Sequence, residues 1–122
     1  MKKYIPFLLL PVLLLSGCQS LEKTARDSIA SFDGYLSAAV ARHDVECKAD
    51  AGNKLPVCLV IVRSVRAENA TVTALETYCQ LTPGTGKDPS LACTPVKSAQ
   101  AGLAAAIQNM NQLSSEIKGA AK

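Results

Sequence analysis

The sequence predicts an all-α domain, an up-down-up three-helix antiparallel bundle stapled by two disulfides, Cys47–Cys58 and Cys79–Cys93. Three observations carry that expectation. Apolar residues recur at helical spacing in three segments. The two connections between them carry turn chemistry. Four cysteines stand at the segment ends.

The first helix is expected over about 21–45, where Ala25, Ile29, Phe32, Leu36, Ala39 and His43 form one stripe with Val40 beside it. Gly34, directly after Asp33, costs about 1 kcal/mol relative to Ala and argues against an unbroken helix. The second helix is expected over about 56–80, with Cys58, Val65, Val72 and Cys79 seven apart and Val62 and Leu75 on the same side. Pro56 suits the first helical position, where its missing N–H costs nothing. The β-branched run 57–62 also allows a strand. Helix is preferred because the heptad register continues to Cys79 and no second strand is at hand to pair with. The third helix is expected over about 95–118, on Val96, Leu103, Met110 and Ile117 with Ala99, Ala106 and Leu113 interleaved. Thr94 offers a cap, Pro95 the first turn and Gly119 a stop.

The connections are 46–55, with Gly52-Asn53, and 81–94, with Pro83-Gly84-Thr85-Gly86 and Asp88-Pro89. Four cysteines allow three pairings. In an up-down-up bundle Cys47 and Cys58 share one pole, and Cys79 and Cys93 the other. The poles lie about 30 Å apart at 1.5 Å per residue, whereas a disulfide needs Cα atoms within about 7 Å. Only Cys47–Cys58 and Cys79–Cys93 satisfy that limit. Each is worth roughly 3 kcal/mol in the chain-entropy model. An Ala-rich core of this size needs such help.

At 122 residues, 48% hydrophobic and 19% charged with no Trp, the chain has room for one compact domain, which excludes a multidomain enzyme and argues against disorder. The N-terminus is set apart. Lys2 and Lys3 precede an apolar run, 5–15, which contains Pro6 and Pro11 and is too short to span a bilayer comfortably. It reads as the apolar region of a signal peptide. Leu15-Ser16-Gly17-Cys18 then resembles the lipobox of bacterial lipoproteins: Leu, two small residues and an obligatory Cys. The resemblance implies removal of 1–17, diacylation of the Cys18 sulfur, a short tether over 18–20 and a helical domain over 21–122. Gln19, rather than Asp, implies the outer membrane by enteric-type sorting, with the domain facing the periplasm. Without that resemblance the segment reads as an ordinary secretory signal followed by a structural Cys. Removal of 1–17 takes Lys2 and Lys3 away and leaves 11 Lys and Arg against 10 Asp and Glu. With few aromatics and no basic face, nucleic-acid binding is not expected.

The candidate chemistry is sparse. His43 and Cys47 have metal-ligand spacing, but the chain has one His and an oxidising compartment favours the disulfide. No metal or other cofactor is expected. Asp44, Glu46 and Asp50, interleaved with Lys48 and Lys54, read as a solvated turn. Pro83-Gly84-Thr85-Gly86-Lys87 lacks the full phosphate-loop spacing and reads as a flexible loop. Asn69 begins a chance glycosylation sequon and suits either a core polar bond or a helix flank. Arg63, Arg66, Glu68 and Glu76 read as a solvated face, with a partner-binding patch as the alternative. The small residues Ala99 and Ala104 to Ala106 fit close helix approach or a seam that opens around an apolar ligand. The final Lys122 is similar to the wall-attachment residue of the major peptidoglycan-linked lipoprotein of enteric bacteria, an Ala-rich helical family. That likeness covers only the signal and the last residue; the family is a single long trimeric helix without disulfides.

These readings converge on a lipid-anchored envelope protein with a non-catalytic binding or structural role, its partner an envelope protein or peptidoglycan. Two alternatives stand beside it. One is a small cell-wall hydrolase or lytic accessory using Glu46 or Glu68. The other is an inhibitor or exclusion lipoprotein of phage or plasmid type.

Overall fold

Pro56 sets a helical φ just ahead of the β-branched run, and from there the chain stays helical to Cys79. The computed structural model describes residues 17–122, with side chains from Leu21 onward. The signal segment and the lipidation site assigned to the Cys18 side chain lie outside that description. Five α-helices and one 3₁₀ turn follow in order: α1 Gly17–Arg42, α2 Asp44–Ala49, α3 Pro56–Cys79, the turn Lys97–Ala99, α4 Gln100–Gln112 and α5 Ser114–Ala121. The described residues contain no strand.

The stripe on α1 is buried as its spacing predicts: Ala25, Ile29, Phe32, Leu36 and Ala39 all lie in the core. Gly34 does not interrupt the helix; it faces open space, away from the packed side. The helix ends at Arg42, because His43 adopts φ −108°, ψ 16°, in the sparsely populated bridge region. The His43 ring contacts the Glu46 carboxylate through Nδ1 and lies 2.8 Å from the Ala120 carbonyl through Nε2. The break thereby ties the end of α1 to the end of α5.

The buried face of α3 differs from the one expected. Cys58, Leu75 and Cys79 are buried, but Val65 is exposed and Val62 and Val72 are only half-buried. Ser64, Glu68, Thr71, Glu76 and Tyr78 point inward instead. The Thr71 hydroxyl lies 2.8 Å from the Ala67 carbonyl and 3.1 Å from the Ala106 carbonyl of α4, a close approach that the small Ala106 permits. Ala104 and Ala105 face solvent. The helix closes on Gln80, at φ 56°, ψ 44°, which takes the left-handed cap position usually given to Gly.

The third segment also departs from expectation. Thr94 and Pro95 do not start a helix. The Thr94 and Val96 N–H groups donate to the Cys79 and Tyr78 carbonyls at 3.0 and 2.8 Å, so this strip answers the orphan carbonyls at the end of α3. Helix begins only at the 3₁₀ turn, breaks at Leu113 (φ −91°, ψ −3°) and runs past Gly119 to Ala121. Leu103, Met110 and Ile117 nonetheless keep their seven-residue register and are fully buried.

α1 packs against α3, α4 and α5, and α3 packs against α4, around Phe32, Leu75, Tyr78, Leu103, Met110 and Ile117. Both expected disulfides are formed: Cys47–Cys58 with Cα atoms 5.4 Å apart and Cys79–Cys93 with Cα atoms 4.3 Å apart. Each closes a short connection. Replacing Cys79 and Cys93 together by Ala is expected to lower the unfolding free energy by about 3 kcal/mol, read by denaturant titration. Non-reducing peptide mapping should return these two pairs; a crossed pair would overturn the topology.

Candidate functional site

A carboxylate buried on a helix needs donors, and α3 buries two, Glu68 and Glu76. The loop after α3 supplies the donors. Glu76 Oε2 accepts the Gly84 N–H at 2.9 Å and the Gly86 N–H at 2.8 Å. Gly84 stands at φ 91°, a left-handed conformation that favours Gly. Gly86 passes so close to α3 that a Cβ would fall 2.8 Å from Glu76 Cγ and from Val72 Cγ1. Lys87 Nζ then reaches Glu68 Oε1 and Asp33 Oδ1 of α1, both at 3.0 Å. Arg26 of α1 donates to the Asp88 and Leu91 carbonyls at 3.0 and 2.8 Å, while its Nε lies 2.8 Å from Glu22 Oε2. This loop, expected to be flexible, is pinned from two helices. Glu68 and Glu76, expected on a solvated face, are what pin it; Arg63 and Arg66 do remain exposed.

Between α1 and the loop lies a cleft of about 280 Å³ lined by Arg26, Ile29, Ala30, Asp33, Gly86, Lys87 and Pro89. Its electrostatics are those of a coupled trio. The bond from Lys87 holds the Asp33 carboxyl below its usual range. Burial pushes Glu68 up, against the pull of Lys87, and neighbouring Asp33 pushes it the same way. The bonds to Glu68 and then Asp33 raise Lys87. Glu68 Oε2 is buried and faces no donor. Glu68 is thus shifted toward its neutral form and Asp33 toward its charged form, with Lys87 between them. Two carboxyls pushed apart in this way have the electrostatic pattern of an acid–base pair. Reach is lacking, however. The Glu68 side chain is 5% exposed and does not line the cleft.

On the other flank of α1 lies a second groove of about 280 Å³, open to solvent. Asp27, Ser28, Ser31, Phe32 and Tyr35 form one wall, and Asn111, Ser114 and Lys118 the other. The Leu113 break falls between Asn111 and Ser114 and shapes the second wall. Lys118 Nζ stands 5.2 Å over the Tyr35 ring. The side chains of Ser28, Ser31, Asn111 and Ser114 make no hydrogen bond to another described residue. The contrast with the cleft is chemical: there every polar lining group is bonded within the fold, and here four are free to meet a ligand.

Apart from Phe32, expected in the core stripe of the first helix, none of the residues that line this groove stood out in the sequence. A signal existed, though. Residues 28, 31 and 35 repeat the spacing of the buried 29, 32 and 36, one position behind; 111, 114 and 118 do the same one position after 110, 113 and 117. Each is a polar row flanking a core stripe.

The other singled-out residues scatter. Asp44 pairs with Lys48 at 3.1 Å along the short helix α2, where a turn was expected, and Asp50 accepts the Leu55 N–H at 2.7 Å in the turn that follows. Glu46 is engaged by His43. Asn69 is exposed, which leaves the helix-flank reading of that residue. Among the described residues no group of three or more His, Cys, Asp or Glu side chains is placed to hold a metal ion. No described helix is long and apolar enough to cross a membrane. No family model, curated protein or solved structure matches the chain.

Two stability measurements check the pinned loop. Glu68 has a raised pKa in the fold, so its contribution is fully present at low pH and fades as pH climbs out of the ordinary carboxylate range; Asp33, being lowered, acts oppositely and is lost on acidification. Glu68→Gln keeps an acceptor for Lys87 and a donor for Asp33. It removes the Glu68 titration and is expected to flatten the decline in stability as pH rises out of the ordinary carboxylate range, read by denaturant titration across pH. An unchanged pH profile in Glu68→Gln would contradict the raised Glu68 pKa. Gly86→Ala should cost about 1–3 kcal/mol, because the new methyl group meets a carboxylate stem fixed by two backbone donors.

Proposed function

We propose that the chain is an exported domain held at a membrane by lipid on Cys18, acting by binding rather than by catalysis. The observation that carries this reading is that both connections are closed by disulfides, an arrangement suited to an oxidising compartment. It agrees with a lipobox directly upstream. Two or three acyl chains anchor stably, at about 0.8 kcal/mol per buried CH₂. Gln19 after the Cys favours the outer membrane, with the domain in the periplasm.

Within this reading the helices form an up-down-up bundle, with α4 and α5 as one broken third helix. Two long-range ties support that order. Arg26, near the start of α1, bonds the loop that follows α3, and His43, at the end of α1, meets the end of α5. The lipid would then sit at the pole of the pinned loop and the Cys47–Cys58 pole would face away from the membrane. A cell-wall hydrolase using Glu46 or Glu68 is less well supported, since one is held by His43 and the other lies out of reach of a substrate.

Replacing Cys18 by Ala should abolish acylation and release the domain from the membrane fraction. Mass spectrometry of the native product reads the first effect and fractionation the second. An unmodified Cys18 in the native protein would overturn the proposal.

A further inference from the structure

We propose that the groove between α1 and the α4–α5 break is a saccharide site, taking a stretch of neutral, polyhydroxylated glycan. The inference deepens the binding role above and rests on it, because it names what a domain in the cell envelope would hold.

The chemistry of the lining selects the ligand. Ser28, Ser31 and Ser114 offer hydroxyls and Asn111 an amide, all without partners among the described residues. Hydroxyls and amides both donate and accept, which suits a ligand whose own groups do both. Tyr35 adds an aromatic wall and Phe32 an apolar floor. Aromatic rings pack well against the C–H faces of a pyranose, and a site built from an aromatic surface with a few convergent polar groups fits an amphipathic ring. Tyr35 is 40% exposed, so ring surface is accessible, and Lys118 stacks over it.

Charge excludes other classes. The lining carries one acid, Asp27, and one base, Lys118, and Asp27 is further balanced by Lys23 at 3.1 Å. No net field favours a phosphate, a nucleic acid or a metal ion. An apolar ligand would leave four polar groups unpaired. The volume, about 280 Å³, lies at the small end for ligand pockets, and the groove is open. Both features suit a segment of a longer chain lying across the surface rather than an enclosed small molecule.

The local backbone agrees. Leu113 leaves helical geometry with no Pro or Gly within five residues, while Met110 and Ile117 on either side stay fully buried. The break therefore does not relieve a packing problem in the core. It brings Asn111 and Ser114 to one wall of the groove.

The test is a titration of the purified full chain in detergent micelles, followed by amide NMR. The probes are chitotetraose, cellotetraose and maltotetraose, with a neutral tetrapeptide as a fourth arm. Saturable shifts with at least one saccharide are expected in the amides of 28–35 and 111–118. Tyr35→Ala should weaken that binding about tenfold, whereas Tyr35→Phe, which keeps the ring, should retain it. Asn111→Ala changes an exposed position and should weaken binding too, so the test survives if Tyr35→Ala unfolds the domain. Absence of saturable shifts with every saccharide would overturn the proposal. So would shifts confined to Arg26, Gly86 and Lys87 of the other cleft, unchanged affinity in both Ala variants, or binding of the peptide alone. Micelle-bound and Cys18→Ala protein should bind alike, so the saccharide result and the lipid result fail separately.

Discussion

Two carboxylates buried on one helix set the terms for the rest of this domain. Glu68 and Glu76 face inward from α3, where an unanswered charge is costly. The loop that follows is shaped by the need to answer them. Its glycines allow the backbone to turn and press against Glu76, and its lysine bridges Glu68 to α1. Arg26 then gathers the carbonyls of Asp88 and Leu91, and Cys79–Cys93 closes the base. A connection running from Gln80 to Val96 without helix or strand would ordinarily be loose. Here it is a packed layer over one side of α1.

That layer creates an asymmetry about α1. On the loop side the polar side chains that line the cleft are engaged within the fold, Lys87 with Asp33 and Arg26 with the loop carbonyls. On the opposite side, where α4 gives way to α5, hydroxyls and an amide are left without internal partners. Conserving internal bonds on one flank and leaving them open on the other is how a small rigid scaffold separates stability from recognition. The far pole follows the first pattern: His43 joins Glu46 and Ala120, and Cys47–Cys58 joins α2 to α3. Both helix breaks, at His43 and Leu113, use bridge-region geometry without Pro or Gly. One secures the chain's end and the other opens a surface.

How much of this could be read from residues alone depends on the range of the cause. The α1 stripe was legible because α1 packs on several helices and its periodicity is undisturbed by other demands. The disulfides were legible because Cys positions and helix length together leave one geometry. The face of α3 was not. Val62, Val65 and Val72 mimic a core row, whereas the true buried row contains Ser64, Glu68 and Thr71. What makes those residues tolerable inside lies elsewhere: the Ala106 carbonyl thirty-five positions on for Thr71, and Lys87 nineteen positions on for Glu68. Thr94-Pro95 likewise carries a sound local helix start that lost to a long-range need, the open carbonyls of Tyr78 and Cys79. The groove escaped notice for a third reason. Its residues are ordinary, and only the juxtaposition of two polar rows across a helix break makes them a site.

The claim that buried carboxylates organise the loop has a direct readout in amide hydrogen exchange. The Gly84 and Gly86 N–H groups belong to a loop with neither helix nor strand, yet both donate to Glu76. They should exchange slowly, with protection approaching that of the α3 core amides, and should lose it in Glu76→Ala. Exchange of both near the unprotected rate, in a domain whose helices stay protected, would contradict the account.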